Sequence, residues 1–174
     1  MNMPIRLPWK TAFRAFLLVP FVYFLVVGSL AAQTTGSSEA DQLILRASQL
    51  ARQGDFDGAI ATYQRAIKLA PKYALLHSYL GSAFESKGSY AEAAQAYETA
   101  ITIQQNERAL PRFMANTYLH AANSYLLLNR PADAEARVDR ALQYAPDDPN
   151  ALSTKGILLE MRGKLDDAIT CYRK

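Results

Sequence analysis

The 174-residue chain has one cysteine, Cys171, and two histidines, His77 and His120. A lone cysteine excludes an internal disulfide, and its distance from the N-terminus excludes a lipidated cysteine there. Neither histidine has a cysteine or carboxylate at ligand spacing, so no metal centre is expected. The sequence lacks a glycine-rich phosphate loop and any serine or cysteine in a nucleophile elbow. No enzymatic chemistry and no cofactor are therefore expected. No stretch alternates apolar and polar residues as a half-buried strand would, which leaves helix.

Charge is absent from one stretch. Arg6, Lys10 and Arg14 precede an uncharged run from Ala15 to Ala32, and all sixteen acidic residues lie beyond it. The formal charge of +3 is wholly N-terminal. It marks a positive-inside flank for membrane insertion, not a nucleic-acid partner. The 18-residue run is long for a signal-peptide core and just sufficient to span a bilayer. Gly28-Ser29 breaks the apolar helix, and Ser29-Leu30-Ala31 is a small-x-small cleavage pattern. Two alternatives stand for residues 1–32. A cleaved signal peptide would leave a periplasmic or secreted protein. A signal-anchor helix would hold a single-pass protein with its N-terminus in the cytoplasm. Residues 33–39 are small and polar and read as a linker.

What the rest of the chain has is a repeat. Gly54, Gly88, Asn129 and Gly163 stand 34, 41 and 34 residues apart. Each is suited to a left-handed turn between two helices, asparagine being the non-glycine residue that tolerates it best. Five residues beyond each turn comes Ala59, Ala93, Ala134 or Ala168, and four further on Tyr63, Tyr97, Val138 or Tyr172. Seven before each turn stands Ala47, Gly81, Ala122 or Gly156. Gly81 facing Ala93 predicts a close approach of two antiparallel helices, with aromatics filling the sides. Asp55 and Asp148 are placed to cap helices, Pro149 follows at a first helical position, and Ser89 with Glu92 has the form of a capping box. Pro71, Gln105 and Pro146 are expected to end helices. The seven extra residues near 108–114 make about two helical turns, so either longer helices or a longer loop would hold them. His77 is expected to be a hydrogen-bonded core residue.

This small-large code at a period of about 34 resembles the tetratricopeptide repeat (TPR) family. The resemblance covers 40–174, with units at about 40–73, 74–107, 115–148 and an incomplete 149–174. Gly54-Asp55-Phe56-Asp57-Gly58-Ala59-Ile60 and Ala66-Ile67-Lys68-Leu69-Ala70-Pro71 carry it most clearly. Gln105 for proline, Asn129 for glycine and the missing Trp in every first helix depart from it. It implies an all-α, right-handed α-solenoid of antiparallel helix-turn-helix repeats that binds a protein or peptide on its concave wall. By resemblance the partner-binding wall includes Ile44, Ser48 and Arg52, then Tyr79 and Ser82, then Asn116, Leu119, His120 and Asn123. Some relatives hold a chaperone's C-terminal carboxylate with a lysine-asparagine clamp. Here Ile44, Ser48, Tyr79, Asn116 and His120 stand at clamp positions, so that clamp is absent. The expected function is a non-catalytic scaffold, exported or membrane-tethered. Alternatives are a membrane-bound assembly factor, or the TPR module of a longer enzyme or secretion component. An uncapped fourth unit exposes Ile169 and Tyr172, so self-association through that end is also expected.

Overall fold

The structure, a computed structural model, describes residues 39–174. The signal or anchor segment and nearly all of the linker lie outside the described residues. Among those residues there are eight helices and no strand. They are α1 (39–52), α2 (Phe56–Leu69), α3 (Ala74–Lys87), α4 (Tyr90–Asn106), α5 (Pro111–Leu127), α6 (Pro131–Tyr144), α7 (Pro149–Met161) and α8 (Leu165–Tyr172). Consecutive helices pack against one another, giving an all-α helical-repeat solenoid. No described helix is long and apolar enough to cross a membrane.

The turns are built by local chemistry that recurs in every hairpin. Gly54, Gly88, Asn129 and Gly163 have φ of 81°, 85°, 56° and 73°. The left-handed residue lets the next amide reach back five residues. Asp55 N donates to Leu50 O, Ser89 N to Phe84 O, Arg130 N to Tyr125 O and Lys164 N to Leu159 O, at 2.8–3.0 Å. This closure satisfies carbonyls that the helix end leaves free. Asp55 Oδ1 accepts from Gly58 N at 2.9 Å and Asp148 Oδ1 from Ala151 N at 2.8 Å, capping α2 and α7. Ser89 caps nothing with its side chain. A capping box needs the Ser89 N–H for Glu92, and that N–H is already held by Phe84 O.

The small residues make the seams. Ala47, Ala59, Ala66, Ala93, Ala100, Ala122, Ala134 and Ala141 are all fully buried. At Gly81 the nearest side chain is Tyr97. A Cβ at Gly81 would meet Cε1 of Tyr97 at 2.8 Å, so the glycine makes room for an aromatic ring. Gly156 is placed in the same way against Tyr172. The physical reason is reach. Tyr97 is one turn beyond Ala93 on α4, and its ring is large enough to fill the space that a missing side chain leaves. His77 is half-buried rather than core, with Nε2 2.9 Å from Pro71 O.

The extra residues lengthen helices, not the loop. Four residues connect α2 to α3 and four connect α4 to α5, while α4 and α5 each have 17 residues against 14 in α2 and α3. Gln105 does not end α4 as expected; lacking proline's constraint, the helix continues to Asn106. Pro111 starts α5 at a position where its missing N–H costs nothing.

A charged cluster ties α6 to α7. Lys155 Nζ donates to Glu135 Oε1 at 3.0 Å and to Asp139 Oδ1 at 2.8 Å, and Arg162 pairs with Glu135. Burial pushes the Glu135 carboxyl up, but Lys155 and Arg162 outweigh it and hold the group below its ordinary value. A lowered carboxyl contributes stability above the unfolded value, near 4.3, that is lost as pH falls through the native value. Glu135→Gln is expected to cost about 1 kcal/mol at neutral pH and to flatten the acid limb of stability below about pH 4.3. Urea unfolding from pH 3 to 7 checks this; an unchanged acid limb in the variant would contradict it.

Candidate partner-binding groove

One side of the solenoid is lined by α3, α5 and α7, the first helices of their hairpins. Tyrosines from the second helices support it from behind. Tyr63 of α2 stacks on Tyr79 of α3 with centroids 5.8 Å apart, and Tyr97 of α4 stacks on His120 of α5 at 5.4 Å. Each stack joins one hairpin to the next and fixes the outer ring at the groove surface. Tyr97 Oη donates to Glu85 Oε2 at 2.9 Å, and His120 Nδ1 lies 3.8 Å from the same oxygen. Burial first, then the Glu85 charge, pushes the Tyr97 phenol far up, so it remains a donor.

Two pockets open on this side. The first, about 310 Å³, lies between α3 and α5 and is lined by Leu75, Ser78, Tyr79, Ser82, Tyr97, Gln104, Phe113, Asn116, Thr117 and His120. The second, about 450 Å³, lies between α5 and α7 and is lined by Asn116, Leu119, His120, Asn123, Asn150, Ser153 and Thr154. Asn116 and His120 belong to both, so the pockets abut as one groove. No aspartate, glutamate, lysine or arginine lines either. The surface offers amides, hydroxyls and aromatic faces. It suits hydrogen bonding to a peptide backbone and apolar contact with a few side chains.

Six residues expected on the wall come together here: Tyr79, Ser82, Asn116, Leu119, His120 and Asn123. Leu119 is only 8% exposed and forms floor. Asn123 Oδ1 accepts from Thr154 Oγ1 at 3.3 Å, which orients its amide across α5 and α7. Ile44, Ser48 and Arg52 line neither pocket. Ile44 packs against the core of the first two hairpins, Ser48 Oγ lies 3.0 Å from Tyr63 Oη, and Arg52 is exposed. Gln104, Phe113 and Thr117 were not anticipated. Gln104 belongs to the extra turn that ends α4, and Phe113 to the one that opens α5. The signal was the seven-residue insertion itself.

The family model described as tetratricopeptide repeat matches residues 44–108 and 119–174. The chain belongs to the tetratricopeptide repeat family. It is 28% identical over 136 residues to the probable UDP-N-acetylglucosamine–peptide N-acetylglucosaminyltransferase SPINDLY of Hordeum vulgare, a match covering 76% of this chain and 14% of that protein. It is 33% identical over 70 residues to small glutamine-rich tetratricopeptide repeat-containing protein 2 of Mycosarcoma maydis, covering 40% of this chain and 20% of that one. The chain thus spans a fifth or less of these relatives. Among solved structures, MamA superposes with a TM-score of 0.69 at 18% identity, covering 78% of this chain and 75% of that one. The first TPR of Spaghetti (RPAP3), bound to the HSP90 peptide SRMEEVD, superposes with a TM-score of 0.66 at 18% identity, covering 73% and 95%. These structural likenesses establish the fold.

Proposed function

We propose that the chain is a non-catalytic scaffold, exported or membrane-tethered, that binds a protein or peptide partner in the groove of α3, α5 and α7. The observation that carries this reading is the pair of abutting, uncharged pockets sharing Asn116 and His120. Asparagine amides satisfy an extended backbone, and the half-exposed Tyr79 ring offers contact area at low entropic cost. The RPAP3 domain holds an acidic peptide. Here no basic side chain lines either pocket, so the preferred occupant is a neutral segment rather than an acidic terminus. The units at 40–73, 74–107, 115–148 and 149–174 form the binding array in this reading. Capture with the full chain, from membrane and soluble fractions separately, tests it. Amide exchange protection should then appear along α3, α5 and α7; protection confined to α2, α4 and α6 would sink the proposal.

Export or tethering rests on Arg6, Lys10, Arg14 and the apolar run. N-terminal sequencing from the native host should begin at Ala32 or Gln33 if the segment is cut. An intact Met1 form in a carbonate-resistant membrane fraction establishes the anchor and favours a membrane-bound assembly factor. Recovery of the protein from the cytoplasm alone would remove both. A second reading, the repeat module of a longer enzyme, is favoured by the small share of the SPINDLY transferase that this chain matches. A catalytic motif in the reading frame beyond the Lys174 codon establishes it, and a stop codon excludes it.

We also propose self-association through α8, a reading supported by the exposure of Leu165, Ile169 and Tyr172 in one stripe. Asp166 and Arg173 lie on one flank of that stripe, and an antiparallel second copy would pair them. Ile169→Asp is expected to abolish any dimer seen by sedimentation; a purely monomeric parent chain would refute this contact.

A further inference from the structure

We propose that one edge of the solenoid, built by the connections α2–α3 and α4–α5, rests on an anionic lipid bilayer, an inference that deepens the tethered reading. The helices are joined by two to four residues and pack against their neighbours, so they alternate in direction. The start of α1 and both of those connections therefore lie at one edge. The chain enters the described residues at Glu39, on that edge. Residues 33–39 span at most about 25 Å when fully extended, so a bilayer holding the run from Ala15 to Ala32 is within reach of it.

That edge is both apolar and basic. Leu69, Tyr73 and Leu110 are 43%, 44% and 59% exposed. Interleaved with them in sequence, Lys68, Lys72, Arg108 and Arg112 are exposed, and none is in an ion pair among the described residues. Residues 68–73 and 107–113 hold these four cations and one carboxylate, Glu107, a net charge of +3 (4 − 1). Glu39 and Asp41, at the start of α1, reduce this to +1. Arg108 has a φ of 51°, a left-handed conformation that glycine or asparagine would adopt at less cost. An arginine in that place holds a cation at the tip of the connection.

The pattern selects a lipid surface. Long basic side chains reach headgroup phosphates while leucines enter the interface and a tyrosine keeps its hydroxyl at headgroup level. A nucleic acid would demand many phosphate contacts, which an edge basic by one net charge does not offer. The third connection, residues 145–148, ends in Asp147 and Asp148 and has no exposed large apolar side chain, so contact is confined to the first two. Arg112 lies over the Phe113 ring, 4.8 Å from its centroid, and Phe113 lines the first pocket. The docked edge thus sets the mouth of the groove beside the bilayer.

The test uses the full chain with vesicles of phosphatidylcholine alone or mixed with phosphatidylglycerol, read by amide hydrogen exchange. With the anionic vesicles, exchange across 68–73 and 107–113 is expected to slow at least about fivefold, the scale of one cation at an anionic surface. Lys72→Gln with Arg108→Gln should remove that protection; Leu110→Ser should weaken it and serves if the double variant does not fold. Equal protection on phosphatidylcholine alone, or none on either, would overturn the anionic contact. Connections protected only in the partner complex would assign the edge to a protein and overturn it too. Cleavage at Ala32 in the native host, with the connections still protected by anionic vesicles, would remove the tether and leave the edge contact. An intact Met1 chain in the membrane with unprotected connections would do the reverse.

Discussion

Replacing Tyr97 with alanine is expected to lower the unfolding free energy by about 3–5 kcal/mol, the range for deleting a large buried aromatic. Tyr97 is 1% exposed and is among the largest fully buried side chains. Its ring fills the hollow at Gly81, stacks on His120 across the hairpin boundary, and ends in a bond to Glu85. Alanine removes all three contacts together, and Gly81 opposite offers nothing that could collapse into the space. Tyr97→Phe keeps the ring and loses only the bond to a half-buried carboxylate, so about 1 kcal/mol is expected. Urea unfolding of both variants measures the difference. Equal losses would show that the ring is not the seam between the second and third hairpins.

Ala93→Leu is the second substitution of large effect. Ala93 has no exposed surface and sits in the core cluster with Tyr97, Ile101, Tyr118 and Ala122. Three more carbons must displace packed neighbours, at a cost of roughly 1–3 kcal/mol. Gln95, two residues on and exposed, is the control; Gln95→Leu should change stability far less. Identical thermal midpoints would mean that the register of α4 against α3 differs from the one described.

The parts of the fold legible in the sequence are those where a local requirement admits few residue types. A left-handed turn favours glycine or asparagine, which is why Gly54, Gly88, Asn129 and Gly163 could be read as hairpin turns, whereas Arg108, at φ 51° between α4 and α5, could not. A closely packed seam demands a small residue, and the periodic alanines are all buried to 1% exposure or less. Where several arrangements satisfy the same pattern, the sequence was silent or misleading. Ser89 and Glu92 have the form of a capping box, yet the preceding turn uses the amide that the box needs. Gly81 matches Ala93 in size, but the vacancy in the first helix suits the ring of Tyr97. Seven residues can be spent as loop or as helix, and only packing showed that both flanking helices take them.

The groove was legible in the same partial way. Repeat position placed Tyr79, Ser82, Asn116, Leu119, His120 and Asn123 on one surface, and all six line the pockets. Position did not reveal that Ser48 is taken up by Tyr63 or that Leu119 forms floor. Gln104 was invisible because its role depends on two added turns meeting in space.

The most direct test of the groove is partner capture by the folded double variant Tyr79→Ala with Asn123→Ala. Tyr79 lies in the first pocket and Asn123 in the second, so the pair removes one contact from each half of the surface. The expected result is partner binding weakened at least about 30-fold, the scale of hot-spot residues, with helicity retained and the melting temperature lowered only modestly by loss of the Tyr63 stack and the Thr154 bond. Undiminished capture by the folded double variant would contradict the account and move the binding surface away from α3, α5 and α7.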